Sequence, residues 1–198
     1  MGRWFVLLAM TSAMSDASAT SGEAGYHLIP GSVPLDWRGP DGNSVFLDAP
    51  EGLILVDTGR HPAHAEKLLV YAKERGRPVA AIVNTHWHLD HLTGNLDVRQ
   101  AYPAAHVYTT TAIEGALVGF LGRGREQADK RLADPKVPTE QKAQILRGRY
   151  RVDHPDTLRP TIPVLKPGRM TIAGRELDVR IAPFAATQAD LSLPFGGV

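Results

Sequence analysis

No cysteine occurs anywhere in the 198 residues. That absence excludes a disulfide framework and any thiolate metal site, and it is compatible with either redox compartment. Blocks of like charge are missing too: 22 Lys and Arg stand against 21 Asp and Glu, net charge +1, with the signs interspersed. A nucleic-acid partner or an anionic membrane surface is therefore not expected. The longest apolar run, Trp4 to Met10, falls far short of the roughly 20 residues of a membrane span. There are no internal repeats and no low-complexity tracts. What remains is an ordinary globular composition, 43% hydrophobic and 22% charged, at a length that suits one domain.

The N-terminus differs from the rest. Arg3, the apolar stretch Trp4 to Met10 and the small residues Ala17-Ser18-Ala19 together read as a signal peptide over 1–19. Cleavage after Ala19 predicts a periplasmic or secreted product beginning at Thr20, with the folded domain over 20–198.

Further along, "YHLIPGSV" (26–33) reads as a first strand and "WRGPDGN" (37–43) as a turn-rich loop. "SVFLDA" and "LILVD" read as strands joined by a tight turn at 50–52. Leu53 to Val56 are continuously apolar, as in a strand buried on both faces. Residues 61–76 have helical periodicity, with Pro62 suited to the first turn and Gly76 to the stop. "VAAIVN" (79–84) is a second buried strand. A short helix near 94–101, a strand at "HVYTT" and a helix from about 112 follow. Residues 122–158 are charged and partly helical, in the manner of an insertion, and 170–183 form a hairpin around "AGRE". Strand–helix alternation after an early meander predicts a layered α/β fold.

The strand at 79–84 leads into "NTHWHLDHLTGN", with three histidines and an aspartate in six positions, in a chain of only eight histidines. Chance would produce H-x-H-x-D-H on the order of once in a thousand such chains, so chance is a poor explanation. His86 and His88, two apart in extended chain, project to one side and suit one metal ion. Asp90 and His91 lie past the bend and can turn toward a second. Imidazole with carboxylate and no thiolate suits Zn²⁺, one ion or two, with Fe or Mn also compatible.

"THWHLDH" preceded by "LILVDTG" resembles the metallo-β-lactamase superfamily. The resemblance covers 26–120 and extends to the hairpin at 170–183. It implies an αββα sandwich with metal at the sheet edge: His86 and His88 on the first ion, Asp90 and His91 on the second. It makes Asp57 a supporting residue that orients the metal loop, and Trp37 a candidate wall over the site. The implied activity is that of an exported hydrolase for a small-molecule ester, lactam, thioester or phosphoester. Metal lowers the pKa of water toward neutrality, the resulting hydroxide attacks, and Asp90 orients it or moves a proton.

The chain also departs from the family pattern. Aligning Asp190 with the aspartate of the family's "GHTPGD"-like segment puts Ala186 where a metal-binding histidine stands. No histidine follows His154, and the family's two later ligands lie past Val198. His61 and His64 read as polar residues at a helix start, His27 and His106 as structural, and His154 as a solvated loop residue. Two alternatives stand beside the hydrolase: a catalytically impaired or non-catalytic metal-binding member, and a true β-lactamase. The second sheet is expected to be incomplete, exposing apolar strand faces and an open edge for self-association.

Overall fold

The computed structural model describes residues 25–32 and 39–194; the expected signal peptide and Trp37 lie outside them. Strands β1 (Tyr26–Ile29), β2 (Ser44–Ala49) and β3 (Gly52–Val56) form an antiparallel meander. Strands β4 (Val79–Val83), β5 (His106–Thr109) and the short β6 (Ile162–Pro163) then add in parallel, so the six strands lie in sequence order. Helix α1 (Pro62–Glu74) makes the crossover from β3 to β4. Helices α2 (Leu89–Leu92) and α3 (Asn95–Ala101) lie between β4 and β5.

β3 is buried at every position, as its unbroken apolar run requires. Leu53 and Leu55 face one way, into a core shared with Leu68 and Ala72 of α1 and Val98 of α3. Ile54 and Val56 face the other way, with Leu47, Ala81 and Val83, against the second sheet. That sheet has three antiparallel strands: β7 (Gly168–Ile172), β8 (Arg175–Pro183) and β9 (Ala189–Ser192). Ala173 (φ 49°) and Gly174 (φ 76°) make the tight β7–β8 turn, both left-handed as a two-residue hairpin prefers. Ile172, Leu177, Val179 and Leu191 are the second sheet's contribution to the core. The layers are thus helix, sheet, sheet.

The outer face of the second sheet does not expose the apolar surface expected of it. Alternation along β8 turns Glu176, Asp178 and Arg180 outward, and Arg169 and Thr171 of β7 lie beside them, all exposed. A polar face of this kind needs no covering layer, because the period of two has already placed the hydrophobes inside.

The region expected to be an insertion, 122–158, is mostly helical, with a turn at 134–138 between its two long helices. It holds most of α5 (Phe120–Ala133) and all of α6 (Thr139–Asp153), and is preceded by the separate helix α4 (Ala112–Val118). Ile113, Ala116, Leu121 and Val152 pack with Leu92 of α2 in a third small core, which fixes this helical unit beside the metal-type loop. None of the described helices is long and apolar enough to cross a membrane.

Candidate metal centre

The two central parallel strands, β3 and β4, deliver Asp57 and Asn84 at neighbouring carboxyl ends. Asp57 adopts φ 57°, a left-handed conformation that aspartate tolerates better than most residues, and the residue is 4% exposed. Its carboxylate accepts three hydrogen bonds: Thr85 N–H on Oδ1 at 2.7 Å, and Thr85 Oγ1–H and His91 Nδ1–H on Oδ2, each at 2.7 Å. One buried charge therefore ties the start of the histidine loop to its end.

These contacts also decide which nitrogen of each ring is available. Thr85 Oγ1 has one proton, given to Asp57, so it accepts from His86 Nδ1–H at 2.9 Å. The lone pair of His86 is then on Nε2, which lies 3.1 Å from His88 Nδ1. Two nitrogens bound to one tetrahedral zinc at about 2.05 Å would stand about 3.3 Å apart, so this pair is spaced for one ion. His91 Nε2 and Asp90 Oδ2 face each other at 3.4 Å, a second pair with similar spacing. The rings of His86 and His91 are 4.1 Å apart, so the two pairs are adjacent. The four candidate ligands are thus brought together in two pairs, while among the described residues no three such groups converge on one point.

A buried amide network holds the loop from beneath. Asn84 Nδ2–H donates to the His91 carbonyl at 3.0 Å, and Asn95 Nδ2–H donates to Asn84 Oδ1 at 2.7 Å. Thr58 donates from its hydroxyl to Asn95 Oδ1 and from its N–H to the His91 carbonyl. Asn84, Asn95 and Thr58 are all fully buried. Sequence reading assigned them no role, although the two asparagines bracket the motif in plain view.

A second support comes from the loop before β2. Buried Asp41 accepts from Arg60 N–H, His61 N–H and the Ser32 hydroxyl at 2.7–2.8 Å. Burial alone would raise its pKa, but these bonds hold it below the usual carboxylate range. Gly42 N–H donates to the Asp90 carbonyl, and a Cβ on Gly42 would lie 2.7 Å from His91 Cε1. His64 is no surface helix-end residue: it is 1% exposed, with Nε2 2.8 Å from Ser44 Oγ. His27 stacks on Tyr71, and His154 ends α6 with its Nδ1 on the Tyr150 carbonyl, as structural and solvent-side residues do. His106 is exposed at the start of β5.

The β8–β9 loop closes the remaining side. Asp190 accepts from the Ala186 and Thr187 N–H groups at 2.6 and 2.9 Å. Trp87 Nε1–H donates to Gln188 Oε1, and Leu191 N–H donates to the Thr85 carbonyl at 2.7 Å. Exposed Ala186 therefore belongs to a loop fastened directly onto the histidine segment.

Electrostatics separate the histidines. Burial lowers the pKa of His86, and neighbouring His91 adds to the effect, which favours the neutral ligand form. Burial also acts to lower His91, but Asp57 and Asp90 outweigh it and raise its pKa from 6.5 to about 9. Its bond to Asp90 in turn holds that carboxylate at about 2. A raised histidine pKa gives stability that is complete below pH 6.5 and lost as pH rises through 9. Without metal, the protein is thus expected to lose roughly 3 kcal/mol of stability over that interval. Urea unfolding after chelation, compared with His91→Gln, measures it; equal pH dependence in both proteins would remove the assignment.

The fold and this loop define a class: a two-sheet α/β protein with a histidine–aspartate cluster at the carboxyl ends of parallel strands. The chain belongs to the metallo-beta-lactamase superfamily, whose family model matches residues 37–174. The superfamily is hydrolytic and typically binds metal ions. A linear primary-alkylsulfatase from Pseudomonas sp. is 47% identical over 50 residues, covering 25% of this chain and 10% of that protein. A hydroxyacylglutathione hydrolase from Acaryochloris marina is 33% identical over 103 residues, covering 46% and 40%. The chain thus spans well under half the length of these curated relatives. Among solved structures, a metallo-beta-lactamase family protein from Thermus thermophilus superposes with a TM-score of 0.56 at 19% identity, covering 85% of this chain and 55% of that one. A metallo-beta-lactamase from Pontibacter korlensis gives 0.50 at 20% identity, covering 83% and 60%. Those likenesses concern the fold.

Proposed function

We propose that this protein is a metal-dependent hydrolase in which His86 and His88 hold one ion and Asp90 and His91 a second. Its substrate is a small molecule with an ester, thioester, lactam or phosphoester-type bond. The observation that carries this reading is the convergence of the four donors in two adjacent pairs, 3.1 and 3.4 Å across. Zinc suits the donor set, as do iron and manganese, and such an ion when bound polarises the substrate and lowers the pKa of water. The chain's own residues supply the rest. Thr85 holds His86 in the tautomer with a free Nε2, and Asp57 fixes His91 through Nδ1 so that Nε2, once it gives up its proton, is available beside Asp90. Asp90, a carboxylate kept ionised by its bond to His91, is the group that would orient an attacking water or move its proton.

A non-catalytic metal-binding role is favoured by one specific observation. Each pair has two protein donors, whereas a catalytic zinc normally takes three. Ala186→His tests the choice, since the loop bearing Ala186 is fastened to the histidine segment. The variant is expected to bind zinc at least about tenfold more tightly and to gain hydrolytic rate. Alkyl sulfates and hydroxyacylglutathione, from the names of the relatives, are the first substrates to assay, with a β-lactam beside them. Tighter zinc without hydrolysis of any of them would favour the non-catalytic role. Unchanged zinc affinity would mean that Ala186 does not face the ion.

A further inference from the structure

A cavity of about 670 Å³ lies beside the metal-type loop, between the α5–α6 pair and helices α2 and α3. Its wall is mainly apolar and includes Leu89, Leu96, Phe120, Leu121, Ile145 and Val152. The charged side chains that also line it are engaged with other groups. Arg125 and Arg149 pair with Asp153, and Arg149 also with Asp129. Arg60 meets Asp90, and Arg131 and Asp97 have partners as well. Arg147 is exposed to water. A ligand in this space finds hydrocarbon to bury against, and guanidiniums already committed elsewhere. The volume falls within the usual range for small-ligand pockets.

The two long helices turn glycine toward this space. On α5 the lining residues Leu121, Gly124 and Ala128 follow the three- and four-residue spacing of one helix face. On α6 Ile145, Gly148 and Val152 do the same. Gly124 and Gly148 thus stand at the middle of the lining faces, where a Cβ on either would meet nothing within 4 Å. Neither has positive φ, so both are disfavoured inside a helix relative to alanine with no close neighbour requiring them. Their effect is to keep the cavity open. Phe120 joins it to the candidate centre: it lines the cavity, and its ring lies 5.6 Å from that of Trp87. Trp87 in turn stands edge to face with His88 at 4.8 Å and is anchored by its Nε1–H on Gln188.

We infer that this cavity binds a neutral apolar group, the hydrocarbon part of the substrate, and that Phe120 is a specificity-determining residue where the cavity meets the histidine loop. Burial of apolar surface supplies the affinity, and the committed charges give an anionic group no advantage. That the group belongs to a substrate rests on the hydrolase reading. Its binding needs no metal, and the test is therefore made on chelated full-length protein.

Calorimetric titration with 1-octanol is expected to show one site, with octanoate bound no more tightly and ethanol not detectably bound. Gly124→Leu and Gly148→Leu fill the cavity while improving helix propensity, so both should fold with unchanged or higher Tm. Each is expected to weaken 1-octanol binding at least about tenfold. Phe120 is 57% exposed, so Phe120→Ala should leave the fold intact while weakening 1-octanol binding about fivefold. Absence of 1-octanol binding from the parent protein, or its survival in both leucine variants, would overturn the inference. Octanoate bound tenfold or more above 1-octanol would overturn the assignment to a neutral group, and parental affinity in Phe120→Ala would remove Phe120 from the site. Failure of the zinc-loaded protein to hydrolyse octyl acetate or an octanoyl thioester, with the titrations as expected, would count against the hydrolase reading alone.

Discussion

His86→Ala and His88→Ala are each expected to abolish retention of zinc at the first pair. The two nitrogens face each other at 3.1 Å, and among the described residues no third donor joins them. Structural zinc sites bind with apparent free energies of roughly 10–16 kcal/mol over four ligands, or roughly 3 kcal/mol for each. Loss of one ligand from a site with only two should therefore weaken binding by more than about a hundredfold. Zinc content after dialysis against a weak chelator reads the effect directly. The fold should persist, because His86 and His88 take part in none of the three apolar cores and their loop is held by Asp57, Asn84 and Asn95. Parental zinc content in both variants would move the metal site elsewhere in the chain.

Asp57 should show the largest effect on stability. Its carboxylate is buried and satisfies three donors, two from Thr85 and one from His91. Asparagine tolerates the same left-handed backbone but turns an NH₂ group toward those donors, leaving at least one unpaired. A loss of about 2–3 kcal/mol is expected for Asp57→Asn. Asp57→Ala removes all three acceptor contacts and adds backbone strain at φ 57°, for an expected loss of about 4–5 kcal/mol. Because Asp57 also orients His91, zinc affinity at the second pair should fall about 10- to 100-fold in the asparagine variant. Urea unfolding of chelated protein and zinc titration separate the two roles. A stability loss with unchanged zinc affinity would reduce Asp57 to support of the loop alone.

Both predictions concern residues that were visible in the sequence, but for different reasons. H-x-H-x-D-H is local: its donors lie within six positions, and extended chain before a bend brings them together whatever surrounds them. The buried strands β3 and β4 were legible for a similar reason, since unbroken apolar runs have few other uses. The hairpin at 170–183 was legible in position, and its alternation of charged and apolar residues already held the information that its outer face is polar. That alternation acquires meaning only when the register shows which side meets the first sheet.

Other features depend on segments far apart in the chain. The Asp57–His91 contact spans 34 residues and exists because β3 and β4 are parallel neighbours ending at the same level. The clasp of the β8–β9 loop onto Thr85 and Trp87 spans about a hundred residues and requires the two sheets to pack face to face. Burial of His64 and Asp41 follows from how α1 leaves the sheet, which no helix-start pattern reveals. The cavity beneath α5 and α6 depends on a helical pair standing off from α3, a matter of three-dimensional spacing. The amino-acid order by itself determined most of the strands and helices and the clustering of candidate donors at 86–91, because these arise from local periodicity and nearest neighbours. Only the tertiary structure decided which lone pairs face one another, which carboxylate orients which histidine, and where space remains, because those depend on closure of the chain over distances that no local pattern encodes.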